Sequence, residues 1–132
     1  MTESATEDPQ AADPVAARAA ARDESESDSY CIVMTTVASQ ADARTLARAL
    51  LAGKLAACIQ LIPVESLYTW NEAVNEESEV LLLVKARPAD YYALEAAIRA
   101  VHSYEVPEIL MVPVVRGFRL YLDWVDSVTR RT

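Results

Sequence analysis

Residues 55–87 read LAACIQLIPVESLYTWNEAVNEESEVLLLVKAR, and most of the β-structure that the sequence predicts lies in this stretch. Leu55–Ile62 is a short apolar run that indicates a strand, which Pro63 stops or bends. Val64–Val74 alternates well enough to predict a further strand. The first part of the stretch therefore predicts consecutive β-structure.

The second part of the stretch continues this pattern. Asn75-Glu76 offers a turn, and Glu77–Arg87 then predicts another strand. The acidic side chains at this turn, Glu76, Glu77 and Glu79, are expected to form a solvated face. The sequence thus predicts strands joined by a turn.

Upstream of this stretch, the pattern predicts one strand and one helix. Tyr30–Val37 (YCIVMTTV) is apolar and β-branched, which is typical of a buried strand. Ser39 is a good N-cap, and Asp42 places a carboxylate near the positive end of the helix dipole. Gly53 suits the C-cap of the same helix. Its buried face is predicted to carry Ala43, Leu46, Leu50 and Gly53.

Downstream, the pattern predicts a helix, a strand and another helix. Pro88 suits the first turn of a helix that ends near His102-Ser103. Ile109–Val115 predicts a strand, in which Pro113 implies an edge position or a bulge. A last amphipathic helix begins at Phe118. The apolar stripe of the earlier helix comprises Tyr91, Leu94, Ile98 and Val101.

With the runs on either side of Pro63 taken as one bent strand, the order of these elements is β-α-β-β-α-β with an extra C-terminal helix. It predicts an α+β, ferredoxin-like fold, in which an antiparallel sheet carries helices on one face. The length is suited to one domain, which we assign to residues 30–132.

The formal net charge of −8 is concentrated in the N-terminal segment. Residues 1–29 are rich in Ala and contain eight acids and two bases, which is −6 of the total. They contain no aromatic residue, Leu or Ile, so they cannot bury enough apolar surface to offset the entropy of ordering. A disordered acidic tail is predicted, which either binds a partner or merely adds solubility.

The composition also excludes several classes of function. A net charge of −8 argues against nucleic-acid binding, which needs a basic face, and against docking to an anionic membrane. The densest apolar run, Val80–Val84, is far too short to cross a bilayer. Cys31 and Cys58 make no disulfide framework, so free thiols and a cytoplasmic location are expected.

The sequence contains no recognisable catalytic or cofactor-binding motif. Its two glycines cannot build a phosphate-binding loop, and neither a GxGxxG nor a Walker sequence is present, so no organic cofactor is expected. A Ser-His-acid or Cys-His relay needs a histidine, and His102 is the only one. Cys58 lies in an apolar strand and is interpreted as a small buried hydrophobe. The protein is therefore not expected to be an enzyme.

The segment His102-Ser103-Tyr104-Glu105-Val106-Pro107-Glu108 concentrates polar groups between a helix end and a strand. His102 with Glu108 or Glu105 is a suitable ligand set for a divalent cation such as copper(II) or zinc(II). The alternative interpretation is structural. A histidine at a helix C-terminus complements the dipole, and Glu108 can pair with Lys85 or an arginine.

An aromatic stripe forms a second candidate site. Ser66, Tyr68 and Trp70 are spaced by two and therefore lie on one face of a strand. They could line a pocket, or they could pack beneath a helix or across a subunit interface. The spacing alone leaves these interpretations open.

Several short motifs occur in a fixed order along residues 30–126. They are KLAAC at Lys54–Cys58, S-x-Y-x-W at Ser66, Tyr68 and Trp70, E-x-x-L-x-x-K at Glu79 and Lys85, HSYEVPEI at His102–Ile109, and YLDW at Tyr121–Trp124. Together they closely resemble the CutA family of divalent-cation tolerance proteins.

This resemblance implies a compact trimer of ferredoxin-like protomers, in which the long second and third strands associate between subunits. The family is linked to tolerance of copper and other divalent cations, and its architecture is similar to that of the trimeric PII signalling proteins. The residues that match the family's polar and aromatic positions, many of them near an intersubunit cleft, are Ser66, Tyr68, Trp70, Glu79, Lys85, His102, Tyr104 and Glu108.

The chain departs from the family pattern at three places. His102-Ser103-Tyr104 stands where the family has His-Pro-Tyr, and Asn71-Glu72 stands where members often have Gly after the Trp. Thr35 and Val101 occupy positions at which copper-binding members have a Cys and the first of two adjacent His. Two of the three ligands that the resemblance implies are therefore absent.

Three functions remain open from the sequence. The first is a homotrimer in divalent-cation tolerance that binds copper(II) or another divalent cation through His102 and its neighbouring carboxylates. The second is a PII-like regulatory trimer, whose intersubunit cleft, lined by Tyr68, Trp70, Lys85 and Glu108, takes a small molecule such as an anionic metabolite, or a protein partner. The third is an interaction module without a ligand.

Overall fold

The computed structural model describes residues 29–129, and an antiparallel sheet organises this part of the chain. Its strands are β1 (Tyr30–Val37), β2 (Cys58–Trp70), β3 (Ala73–Ala86) and β4 (Ile109–Val114). Its helices are α1 (Gln40–Ala52), α2 (Tyr91–Val101) and α3 (Arg119–Thr129), with a 3-10 turn at Pro88–Asp90 before α2. The sheet order is β2-β3-β1-β4, which confirms the predicted α+β, ferredoxin-like fold. The predicted tail lies outside the described residues.

The long hairpin of β2 and β3 differs from the sequence-based prediction in two respects. Residues 55–74 do not divide into two strands at Pro63, because β2 runs unbroken through it and pairs it with Val80. An edge strand tolerates proline where the N–H would point away from its neighbour. The predicted turn at Asn75-Glu76 is also wrong, since both residues lie within β3.

The hairpin turn lies instead at Asn71-Glu72, between Trp70 and Ala73. Both turn residues have positive φ, 54° and 63°. Positive φ at both central residues is typical of the type I′ turn, whose twist matches that of an antiparallel hairpin, and Asn adopts it readily. The chain therefore closes this hairpin with Asn71 and Glu72 and without a glycine.

The hairpin extends beyond the rest of the sheet. β1 pairs with β3 from Cys31 opposite Ala86 to Val37 opposite Val80, and its pairing ends there. Residues 73–79 of β3 pair only with β2 within the described chain. The distal half of the hairpin therefore projects past β1.

Helices α1 and α2 cover one face of the sheet and form the core with it. The predicted buried positions of α1 (Ala43, Leu46, Leu50) and of α2 (Leu94, Ile98) are confirmed. Two positions predicted to be buried at the helix ends are wrong, because Gly53 and Val101 are exposed. None of the helices within residues 29–129 is long and apolar enough to cross a bilayer.

The opposite face of the sheet is apolar as well. Ile32 and Met34 of β1 alternate with the core positions and are half-buried, while Leu110 and Val112 of β4 are 55% and 43% exposed. The run Val80–Val84 is apolar on both faces, which is typical of a strand that is covered on both sides. Helices α1 and α2 cover only one of these faces.

Helix α3 is attached at one end of the sheet by apolar packing and by a polar network. Leu122 and Val125 pack with Tyr30 of β1 in a second buried cluster. The Tyr30 hydroxyl donates to Asp126 Oδ2 at 2.8 Å and accepts from Arg119 Nη2 at 2.9 Å. These contacts hold the C-terminal helix against the start of β1.

Thr35 supplies a test of the core. Its side chain is fully buried, and its Oγ1 has no hydrogen-bond partner among residues 29–129. We expect Thr35→Val to raise the free energy of unfolding by about 1 kcal/mol, because valine has nearly the same shape and removes an unsatisfied hydroxyl. Urea unfolding followed by tryptophan fluorescence would measure the change.

Thr129→Val is the matched control, because the Thr129 hydroxyl is buried but donates to the Val125 carbonyl at 2.7 Å. This substitution should give no gain in stability. A Thr35→Val protein that is less stable than the wild type would contradict the expectation.

Candidate functional site

A groove of about 810 Å³ lies between the projecting half of the β2–β3 hairpin and the 102–108 loop, which connects α2 to β4. We call it the acidic groove. Its lining comprises Thr36, Glu65, Ser66, Leu67, Tyr68, Trp70, Glu77, Glu79, Tyr104, Glu105, Val106, Pro107 and Glu108.

The register of the hairpin assembles one wall of the groove. Ser66 pairs with Glu77, and Val64 pairs with Glu79, so both glutamates lie on the face that carries Ser66 and Tyr68. The pKa of the Tyr68 phenol is raised above its ordinary value, chiefly by partial loss of solvent around the hydroxyl and secondly by the neighbouring Glu77 carboxylate. The hairpin therefore presents a phenol and two carboxyl groups side by side.

A side-chain hydrogen bond joins the two walls of the groove. The Tyr104 hydroxyl donates to Glu79 Oε2 at 2.6 Å, which is a short bond to a carboxylate. Glu79 is only 8% exposed, so the prediction that it belongs to a solvated acidic face is wrong. The 102–108 loop covers it, and this covering depends on tertiary contacts that the local acidic run does not reveal.

The contact with Glu79 also changes the ionisation of Tyr104. Burial raises the pKa of the Tyr104 phenol above its ordinary value, and the hydrogen bond to Glu79 raises it further. Both effects favour the neutral phenol that donates this bond. The Tyr104 phenol therefore keeps its proton over the physiological pH range and can donate it to Glu79.

His102 lies at the start of the 102–108 loop, and both of its ring nitrogens have backbone partners. Nε2 lies 2.7 Å from the Thr36 carbonyl oxygen, and Nδ1 accepts from the Tyr104 N–H at 3.1 Å. The rings of His102 and Tyr104 also contact each other, with centroids 4.7 Å apart. The imidazole is thus held between β1 and the loop, and it is not among the residues that line the groove.

Most of the residues proposed from the sequence meet in the groove. Those that line it are Ser66, Tyr68, Trp70, Glu79, Tyr104, Glu105 and Glu108. Lys85 does not line the groove, because it lies opposite Cys58 at the other end of the hairpin. Its Nζ donates to Gln60 Oε1 at 2.8 Å. Glu108 therefore does not have Lys85 as its partner.

Three polar residues of the lining were not among the site residues predicted from the sequence. Thr36, Glu65 and Glu77 all line the groove. The position of Glu77 opposite Ser66 was predictable only with the correct hairpin turn, because moving the turn changes which residues face each other across the strands. Thr36 comes from β1 and offered no local signal.

The groove is strongly acidic. Five glutamates line it, and no Lys, Arg or His of the described residues does so. Such a lining attracts cations and repels anions. Nevertheless, within residues 29–129 no three His, Cys, Asp or Glu side chains are grouped closely enough to hold a metal ion as a preformed site.

A family model described as "CutA1 divalent ion tolerance protein" matches residues 31–128. The chain belongs to the CutA1 family. The divalent-cation tolerance protein CutA of Thermus thermophilus is 43% identical over 99 residues, which is 74% of this chain and 96% of the relative. Protein CutA of Mus musculus is 39% identical over 102 residues, but the match spans only 58% of the mouse protein.

Solved CutA structures have the same fold. The periplasmic divalent cation tolerance protein CutA of Archaeoglobus fulgidus matches with a TM-score of 0.76 at 31% identity, over 76% of this chain and 99% of that chain. CutA1 of Oryza sativa also gives 0.76, at 34% identity, over 79% of this chain and 96% of that chain. The resemblance to the CutA family that the motifs predicted is therefore confirmed.

The link between Tyr104 and Glu79 supplies a test in this CutA1 protein. Tyr104→Phe should lower the free energy of unfolding at pH 7 by about 1–2 kcal/mol, because the buried Glu79 carboxylate loses its donor. Because the pKa of Tyr104 is raised, the unfolded chain releases this phenolic proton at lower pH than the folded chain does. Stability that Tyr104 contributes is therefore present below about pH 10 and lost above it.

Urea unfolding at pH 7, 10 and 11 would check both effects. The stability of the Tyr104→Phe protein should fall less steeply with pH above 10 than that of the wild type. Tyr92→Phe is a suitable control, because this ring is 79% exposed and its change should leave the stability at pH 7 within about 0.5 kcal/mol. Equal pH dependence in wild type and Tyr104→Phe would contradict the assignment.

Proposed function

We propose that the protein acts in divalent-cation tolerance as a homotrimer, and that its acidic groove binds divalent cations, copper(II) among them. The observation that carries the proposal is the lining of the groove, with five glutamates and no basic side chain among the described residues. Carboxylate oxygens are ligands for divalent cations, and a cleft of one charge raises the local concentration of the opposite charge. Membership of the CutA1 family supports the same role.

The cation in this proposal is a transient ligand and not a resident cofactor. The set of His102, Glu105 and Glu108 that the sequence suggested does not fit a preformed centre, because both imidazole nitrogens have backbone partners. The absence of a three-ligand group within residues 29–129 agrees with this. Glu105 and Glu108 remain the carboxylates that we propose for the cation, which would keep most of its water ligands.

A homotrimer is supported by the apolar surface that one described chain leaves uncovered. The sheet face opposite α1 and α2 carries Leu110 and Val112, and the edge strand β4 to which they belong has no neighbour on its outer side in the described chain. Exposed edges and large apolar faces are typical of surfaces that associate with another chain. The family resemblance implies that the association is trimeric.

The alternative function is a PII-like regulatory trimer that binds a small molecule or a protein partner. The exposed aromatic side chains of Tyr68 and Trp70 in the groove favour a ligand with an organic part. The charge of the lining disfavours an anionic metabolite, because Lys85 lies elsewhere and no other described base replaces it. In either case we propose a binding role and not a catalytic one.

We also propose a cytoplasmic location. Cys31 and Cys58 are both free thiols, and Cys31 is buried, with its pKa raised to about 12 chiefly by burial. Unpaired cysteines are typical of a reducing compartment. Fractionation of the native host, with detection by antibody, would test this location.

The homotrimer can be tested at the uncovered sheet face. Leu110→Lys places a charge at a position that is 55% exposed in one chain and that the proposal buries between subunits. We expect sedimentation velocity to give three times the 14.5 kDa chain mass for the wild type and a clearly smaller mass for the variant. Tyr92→Lys, on the outer side of α2, should leave the trimer intact. A trimeric Leu110→Lys protein would count against this interface.

Cation binding can be tested by removing charge from the loop. We expect Glu105→Gln with Glu108→Gln to weaken copper(II) binding about tenfold or more, which is about 1.4 kcal/mol. Isothermal titration in a weakly coordinating buffer would measure the affinity. Glu72→Gln with Glu76→Gln is the matched control, because it removes the same charge from the hairpin outside the groove lining. Equal affinities for the two double variants would sink the assignment to the groove.

A further inference from the structure

We infer that His102 is a positioning residue for the acidic groove and does not ligate the cation. This inference rests on the proposed function of the groove. It depends on three hydrogen bonds of the 102–108 loop: His102 with Thr36 of β1, His102 with the Tyr104 backbone, and Tyr104 with Glu79 of β3. In each of these hydrogen bonds, one partner can act only as a donor or only as an acceptor, and this fixes the role of the other partner.

The partners of the His102 ring define its tautomer. The Thr36 carbonyl oxygen can only accept, so Nε2, 2.7 Å away, carries the proton and donates it. The Tyr104 N–H can only donate, so Nδ1 holds the lone pair that accepts it. These contacts therefore assign the donor role to Nε2 and the acceptor role to Nδ1, so that both nitrogens are in use.

This arrangement is incompatible with metal ligation by His102. A metal ion needs the lone pair of a ring nitrogen, but Nε2 carries a proton and the Nδ1 lone pair accepts from the Tyr104 N–H. Ligation at either nitrogen would break a backbone hydrogen bond where the loop begins. The groove lining itself includes Tyr104, Glu105 and Glu108 but not His102.

The same contacts give His102 a different role. Nε2 attaches the loop to Thr36 near the end of β1, and Nδ1 fixes the backbone of Tyr104 two residues later. The Tyr104 hydroxyl then reaches Glu79 on the projecting hairpin. A continuous series of hydrogen bonds therefore runs from the core sheet through the loop to the hairpin. It determines where Glu105 and Glu108 stand relative to the opposite wall.

A spectroscopic experiment separates ligation from positioning. Copper(II) bound to untagged wild type would be examined by electron spin echo envelope modulation, which detects the remote nitrogen of a coordinated imidazole. Because the chain contains one histidine, any imidazole signal identifies His102. We expect no such signal. Its presence would overturn the inference.

Amide hydrogen exchange of the metal-free protein tests the positioning role directly. His102→Ala removes both ring contacts, so the amide of Tyr104 should exchange about tenfold faster or more. His102→Asn is the conservative variant, because a side-chain oxygen at residue 102 can accept from the N–H two residues on, as in an Asx turn. We expect His102→Asn to restore much of the protection that His102→Ala loses.

Copper(II) titrations of the same variants complete the test. A positioning role predicts that His102→Ala weakens binding and that His102→Asn recovers part of it, although asparagine lacks the imidazole. Loss in both variants, with unchanged exchange of the loop amides, would overturn the inference. If the wild type bound no copper(II), the proposed function would fail, while the exchange measurements would still decide whether His102 holds the loop.

Discussion

The ladder between β2 and β3 sets the length of the sheet and the position of the groove beside it. It pairs thirteen residues of β2 with β3, from Cys58 opposite Lys85 to Trp70 opposite Ala73. β1 is too short to follow β3 beyond Val80, so the distal half of the ladder has no third strand. That half stands free of the core and becomes one wall of the acidic groove.

The second wall is attached to the rest of the chain by long-range polar contacts. The 102–108 loop is attached to β1 through His102 and to the hairpin through Tyr104 and Glu79. Burying a carboxyl group such as Glu79 is costly unless it is hydrogen-bonded, and the Tyr104 hydroxyl supplies that bond. The stability of this loop and the shape of the groove are therefore coupled.

The sheet itself has two apolar faces: helices α1 and α2 cover one, and α3 covers only one end of the other. The outer face of Val80–Val84 is only partly covered within one chain, yet it carries no polar residue. The proposed homotrimer would cover this face. Strand β4 is also apolar and mostly exposed within one chain, from Ile109 to Val114, so the proposed homotrimer would cover it as well. The fold and the proposed assembly thus follow from the same composition of strands.

Local preferences in the sequence were sufficient to predict the helices, the first and last strands and most of the helix positions that form the core, because side-chain periodicity and capping act over a few residues. The motifs also identified seven residues that meet in the groove, and with them the CutA1 family. Four features could not be predicted from local patterns: the hairpin turns at Asn71-Glu72, Pro63 lies inside a strand, Glu79 is buried and Lys85 lies outside the groove. These facts depend on register and on partners such as Thr36 that are far away in the chain, and no local pattern contains them.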